Sequence, residues 1–204
     1  MKIYLTSVAA NVLDKIVPLL DSSPKKLKVA FIPTASDIYK STPWLDADKN
    51  KLKELGFKVK DIDLKNKTKE LLLQEFSDMD IIFVAGGNTS YLLEQAQKSG
   101  FMDIAGELVD KGVIYIGSSA GSLLASPTIE MDKIYDDGEF GKVLYSYKGL
   151  GFMDFVVLPH ADNPNYTPYL KKVFEKYGNK YDLRTLNDNQ FIEITNNTMQ
   201  LIEA

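Results

Sequence analysis

Apolar positions along the 204 residues fall into short runs separated by longer stretches of mixed character, and the two kinds alternate. Lys2–Ser7 alternates like a strand, and Val12–Leu20 carries apolar residues at helical spacing until Asp21-Ser22-Ser23-Pro24 interrupts it. Lys28–Ile32 is an apolar run closed by Pro33-Thr34-Ala35-Ser36, which predicts a second strand. Trp44–Leu55 reads as a helix with Leu45, Leu52 and Leu55 on one face and Lys and Asp on the other. Phe57–Leu64 is a half-exposed strand by its alternation, and Thr68–Phe76 a short helix with a polar cap residue. Asp80–Ala85 reads as the most buried strand, followed by Gly86-Gly87-Asn88-Thr89 and by helices over Ser90–Lys98 and Met102–Lys111. Val113–Ile116 is another buried strand.

Residues 126–151 loosen into polar and aromatic positions with four glycines after Asp137, and predict a β-hairpin or long loop over the site. Phe155–Leu158 is again a buried strand and Tyr166–Tyr177 an amphipathic helix. Short strands follow over Tyr181–Leu186, Phe191–Thr195 and Met199–Ile202, the last two joined at Asn196-Asn197. The alternation implies an α/β, doubly wound, mostly parallel sheet with helices on both faces, over one domain spanning residues 1–204. Ligands in such sheets bind beyond the carboxyl ends of the strands.

Composition narrows the chemistry. Hydrophobic residues make up 45% and charged residues 25%, ordinary for a soluble globular chain, and the net charge of -4 argues against non-specific nucleic-acid binding. No stretch has the apolar length of a membrane span, so a cytoplasmic location is expected. Cysteine is absent, which removes thiol nucleophiles, disulfides and thiolate metal sites. His160 is the only histidine, so any imidazole base must be His160. Neither G-x-x-x-x-G-K-[ST] nor G-x-G-x-x-G occurs, which disfavours a nucleotide binder.

Gly117-Ser118-Ser119-Ala120-Gly121-Ser122 lies between a buried strand and the helix formers Leu123, Leu124 and Ala125. Strand, small-residue turn and helix is the setting in which G-x-S-x-G presents a nucleophilic serine. The competing reading is a tight Gly/Ser turn at a helix N-terminus. Ser118 and Ser122 lack glycines at both flanking positions, so Ser119 is the preferred candidate. A serine nucleophile needs a base and N–H donors for the oxyanion; His160, Gly87 and Ala120 are the candidates. Asn88 and Thr89 are expected to cap the following helix.

The chain resembles the peptidase E (aspartyl dipeptidase) family of serine peptidases, which also includes cyanophycinases. The resemblance is carried by Ile32-Pro33-Thr34-Ala35-Ser36, Phe83-Val84-Ala85-Gly86-Gly87-Asn88-Thr89, Gly117-Ser118-Ser119-Ala120-Gly121, Ser126-Pro127-Thr128-Ile129 and Leu158-Pro159-His160, in order across most of the chain. It implies a class I glutamine amidotransferase-like fold, Ser119 as nucleophile, His160 as general base, and Gly87 and Ala120 as oxyanion donors. It also implies a third triad member, either after Ser-Pro-Thr-Ile, where Asp132, Asp136 and Asp137 stand, or in the loop Asn187-Asp188-Asn189. Asp188 is preferred on chemical grounds, with Asn187 and Asn189 as alternatives and a solvated turn as the competing reading.

Aspartyl dipeptidases pair the substrate carboxylate with a cation, typically an arginine downstream of the histidine. Residues 161–166 contain none; Lys171 and Lys172 lie on a helix and the only arginine, Arg184, in a strand. The expectation is a serine peptidase of small peptides without strict aspartyl selectivity, monomeric or homodimeric, with no metal or organic cofactor implied. An esterase or amidase on the same groups, and a small-ligand-binding protein with an impaired triad, stand as alternatives.

Overall fold

In the computed structural model, which describes residues 1–135, 144–196 and 198–204, alternation in the strands becomes two separate apolar layers. The strands β1 (Lys2–Thr6), β2 (Lys28–Ile32), β3 (Lys58–Asp61), β4 (Ile81–Val84) and β5 (Ile114–Ser118) form a parallel array in the order β3-β2-β4-β5-β1. Two further strands, β8 (Gln190–Thr195) and β9 (Thr198–Glu203), extend it antiparallel beyond β1. Odd and even strand residues part company. Ile3, Leu5, Ala30, Ile32, Ile82 and Val84 face one core, while Tyr4, Val29, Phe31, Ile81 and Phe83 face the other. The second core is closed by α1 (Ala9–Ile16) and α2 (Pro43–Glu54). The first is closed by α3 (Lys69–Phe76), α4 (Thr89–Ser99), α5 (Phe101–Asp110), α6 (Ala120–Ala125) and α7 (Thr167–Tyr177). The doubly wound, mostly parallel sheet expected from the alternation is what the chain forms.

Local chemistry sets most boundaries. Thr68 accepts the Leu71 N–H at the start of α3, and Asn88 accepts the Tyr91 N–H at 2.7 Å at the start of α4. The first helix differs from expectation, running over Ala9–Ile16 with Val17–Leu19 as a 3₁₀ turn. Pro18 has no N–H for the α-helical pattern, which explains the change.

One further expectation is corrected, and for residues 126–151 the long-loop alternative is the one that the described residues adopt. The strand before His160, β6 (Val156–Leu158), does not join the main sheet; it pairs in parallel with β7 (Leu183–Thr185) as a separate two-stranded unit. The place beside β1 is taken by β8, so β6 packs instead among the residues of the first core. Residues 126–151 are not an extended hairpin where described. A single antiparallel bridge joins Thr128 to Lys148, and Glu130–Ile134 is a 3₁₀ helix. Asp136, Asp137, Gly138 and Gly141 lie outside the described residues, as does Asn197 of the final turn. No helix among the described residues is long and apolar enough to cross a membrane.

The face of α2 also departs from expectation. Asp48 is 3% exposed and lies with Leu52 on the buried side, not with the solvated lysines. Its Oδ1 accepts the Ala10 N–H at 2.8 Å, capping α1 from outside where Val8 offers no side-chain cap. Burial pushes its carboxyl up to about 6, against the opposing pull of the Ser118 hydroxyl and the Ala10 N–H.

The sign of that shift makes a stability prediction. A carboxyl held above its unfolded value favours the native state at acid pH, and the benefit is lost as pH rises from 3.8 to about 6. Asp48→Asn keeps an acceptor for Ala10 without the charge. It is expected to raise stability relative to the parent at pH 7, by up to about 3 kcal/mol, and to have little effect at pH 3.5, measured by urea unfolding at both values. A second prediction concerns Gly121, where an added Cβ would stand 2.1 Å from the Val84 carbonyl oxygen. Gly121→Ala is expected to cost about 1–3 kcal/mol in the same assay, because strand and helix must separate to admit a methyl group.

Candidate active site

The strands β1 and β5 are neighbours, yet the chain leaves them on opposite faces of the sheet: α1 belongs to one core and α6 to the other. Such a divergence opens a crevice at the carboxyl ends of the two strands. Ser7 follows β1 and Ser119 follows β5, so both stand at its mouth. A buried knot closes the crevice from below. Ser122 Oγ accepts the Thr6 N–H at 2.9 Å and shares its proton between the carbonyls of Thr6 (2.7 Å) and Gly117 (2.8 Å). Thr6 Oγ1 donates to the same Gly117 carbonyl, and the Ser119 N–H donates to the Thr6 carbonyl at 3.0 Å.

Ser119 is thereby pinned at φ 49°, ψ -106°, a conformation that side-chain-bearing residues seldom adopt. The strain arises because β5 turns into α6 at once. Gly86 and Gly87 come from the end of β4 beside it. Gly87 has φ +144°, and a Cβ there would lie 2.2 Å from the Ala35 carbonyl oxygen, so no other residue fits without moving that loop. Ala120 opens α6, where the first N–H groups have no acceptor within the helix.

Ser119 Oγ lies 2.8 Å from His160 Nε2, and His160 Nδ1 lies 2.7 Å from Asp188 Oδ1. With the Nδ1 proton donated to Asp188, Nε2 is left to accept from Ser119. The Asn189 side-chain oxygen accepts instead from Asn11, and the contact at His160 Nδ1 is made by Asp188, not by Asn187. Asp132 is held from the other side of the cleft by the N–H and hydroxyl of Ser90. The other hydroxyls of the turn are occupied, Ser122 in the knot and Ser118 with the Ala9 N–H and Asp48.

One residue here had no counterpart in the sequence reading. Ser7 Oγ donates to Asp188 Oδ1 at 2.6 Å and accepts the backbone N–H of His160 at 2.7 Å. His160 itself has φ 62°, so Ser7 ties a left-handed backbone to the carboxylate that its ring meets. The only sequence signal is a hydroxyl residue directly after a buried strand, which many turns share.

The cleft has two lobes meeting at Ser119, His160 and Gly87, of about 290 and 90 Å³. Tyr166 packs at a tilt against the His160 ring, with centroids 4.6 Å apart, and Tyr135 stacks on Tyr166 at 6.0 Å, walling both lobes on one side. Burial pushes the Tyr166 phenol up to about 12, so it is neutral at physiological pH. Among the described residues no lysine or arginine lines either lobe. Lys171 and Lys172 are exposed on α7, and Arg184 is forked onto Asp182 with its guanidinium over the Phe155 ring. Among the described residues no group of three or more His, Asp or Glu side chains could hold a metal ion.

Known proteins match the chain over nearly its whole length. A Listeria monocytogenes protein, named an uncharacterized peptidase, is 30% identical over 195 residues, covering 94% of this chain and 93% of its own. One from Pasteurella multocida, named likewise, is 27% identical and covers 97% and 95%. A crystal structure of a Listeria monocytogenes protein carrying a peptidase E designation superimposes with a TM-score of 0.90 at 27% identity, covering 100% of this chain and 98% of that one. The model of peptidase family S51 matches residues 5–202. The chain therefore belongs to peptidase family S51 and is a serine-type peptidase.

Proposed function

We propose that the chain hydrolyses short peptides through a covalent acyl intermediate on Ser119. The observation that carries this reading is the unbroken relay Ser119 Oγ, His160 imidazole, Asp188 carboxylate, with links of 2.8 and 2.7 Å. Ser119 Oγ attacks the scissile carbonyl carbon while its proton passes to His160 Nε2. The oxygen of the tetrahedral adduct takes the negative charge and is received by the N–H groups of Gly87 and Ala120. Collapse of the adduct breaks the C–N bond, and the amine leaves with the proton from Nε2. Water, deprotonated by the same nitrogen, then releases the acid and restores Ser119. Asp188 orients the ring and stabilises its protonated form during both steps.

Ser7 acts through Asp188 and His160, not on substrate. Its hydroxyl fixes the carboxylate oxygen that meets Nδ1 and, by accepting the His160 N–H, holds the backbone that aims the ring. The aromatic, carboxylate-bearing walls of the cleft support a preference other than aspartyl peptides, because no described cation stands ready to pair with the aspartate side chain.

A fluorophosphonate probe with the adduct located by mass spectrometry tests the nucleophile. Labelling is expected at Ser119, abolished in Ser119→Ala and lowered by about 10³-fold or more in His160→Ala. Labelling at another serine would overturn the assignment. Ser7→Ala is expected to lower the labelling rate by about tenfold and kcat with little change in KM, with recovery in Ser7→Thr. A matching fall in thermal stability and labelling, unrecovered by threonine, would reduce Ser7 to a structural residue. In a dipeptide panel, Asp-X substrates are expected to be cleaved no faster than their neutral counterparts; strong Asp selectivity would overturn that reading of the cleft.

A further inference from the structure

The larger lobe is furnished by one face of α2. Trp44 and Asp48, one helical turn apart, both line it beside Ser119, and Tyr39 meets the Trp44 ring edge-on at 5.4 Å. The Trp44 N–H donates to Ser36 Oγ, which in turn donates to the Gly86 carbonyl, so the indole is fastened to the turn that carries Gly87. Trp44 is 39% exposed, so part of its surface faces the lobe.

Asp48 is the anomaly in this wall. Its hydrogen bonds come from a backbone N–H and a hydroxyl, and among the described residues no cation pairs with it. The neighbouring lysines of α2 are engaged elsewhere, Lys49 with Asp61 and Lys51 with Asp14 and Glu54. A carboxylate buried without a counter-charge is costly, and asparagine could make the same two contacts without the charge. What the buried charge lacks is a cation, and aromatic faces at the same wall attract cations too.

We propose that this lobe receives a positive charge of the substrate, either the free α-ammonium or a basic side chain of the residue acylating Ser119, against Asp48, Trp44 and Tyr39. The proposal rests on the reading of Ser119 as nucleophile only for the word substrate; the binding itself does not depend on it. The α-ammonium of an unblocked N-terminal residue is two bonds from the carbonyl carbon that Ser119 attacks, and a lysine side chain extends from the α-carbon between them. Either brings a cation into the lobe that Asp48 lines. Charge-assisted pairing in a water-poor pocket gives the selectivity, while the methylenes of a long side chain lie along the rings.

Trp44 is the only tryptophan of the chain, so its fluorescence reports occupancy of the lobe directly. Titration with n-pentylammonium is expected to give a saturable change about 10- to 100-fold tighter than with n-pentanol, and Asp48→Asn is expected to bring the two together. Equal affinity for amine and alcohol, or a difference that persists in Asp48→Asn, overturns the proposal. Coumarylamides of lysine, norleucine and their N-acetyl forms separate the two sources. Preference for both lysyl forms identifies the side chain, and preference for both unacetylated forms identifies the α-ammonium; no preference among the four overturns the proposal. In Asp48→Asn the ratio of the favoured to the disfavoured amide is expected to fall to near one, with Ser119 labelling showing that the variant is folded. Failure of Ser119 to label in the parent protein, with amine binding intact, would remove the catalytic reading and leave the cation site standing.

Discussion

The carboxyl ends of β1 and β5 are tied together by the Ser122 and Thr6 hydroxyls and the carbonyls of Thr6 and Gly117. Everything at the cleft is referred to that knot. It is wholly buried and every hydroxyl in it is engaged, so it resists deformation in a way that a surface turn could not. From it hang the strained backbone of Ser119 on one strand and, one residue after the other strand, the hydroxyl of Ser7. The remaining partners, His160 and Asp188, come from outside the parallel array and are brought to register by Ser7. The site is therefore assembled from a rigid pair of strands and two loops that meet it.

Among the described residues, several unfavourable features gather at this place. Ser119 and His160 both hold positive φ, Gly87 occupies a conformation closed to other residues, and Asp48 keeps a charge where burial opposes it. Strain and uncompensated charge of this kind persist only where the surroundings over-determine them. The two apolar layers and the close contact between α6 and β4 supply that surplus.

Much of this was legible in the residues. The apolar runs of β2, β4 and β5, the cap residues Thr68 and Asn88, and the turn around Ser119 each follow from local chemistry, and local chemistry is what a sequence records. The failures share one cause. An apolar triplet such as Val156–Leu158 declares that it is buried but not which sheet it joins, and the competition with β8 for the edge of β1 is decided far along the chain. Ser7 gains its meaning from partners 153 and 181 residues away. Asp48 did leave a trace, since it falls at the same helical spacing as Leu45, Leu52 and Leu55, an acid within the apolar stripe. Counting it with the charged face missed the one polar position that the helix turns inward.

The pairing of β1 with β8 carries a consequence for how the protein comes into being. The strand β1 takes one of its neighbours from residues 190–195, later in the chain than every strand of the parallel array, and Asp188 sits just before that strand. Until β8 has docked, His160 lacks the carboxylate that meets its Nδ1. On the mechanism proposed above, a chain whose residues 188–195 have yet to dock holds Ser119 and His160 without the carboxylate that orients the ring. A hydrolytic enzyme built in this way gains its full site only when residues far apart in the chain have met.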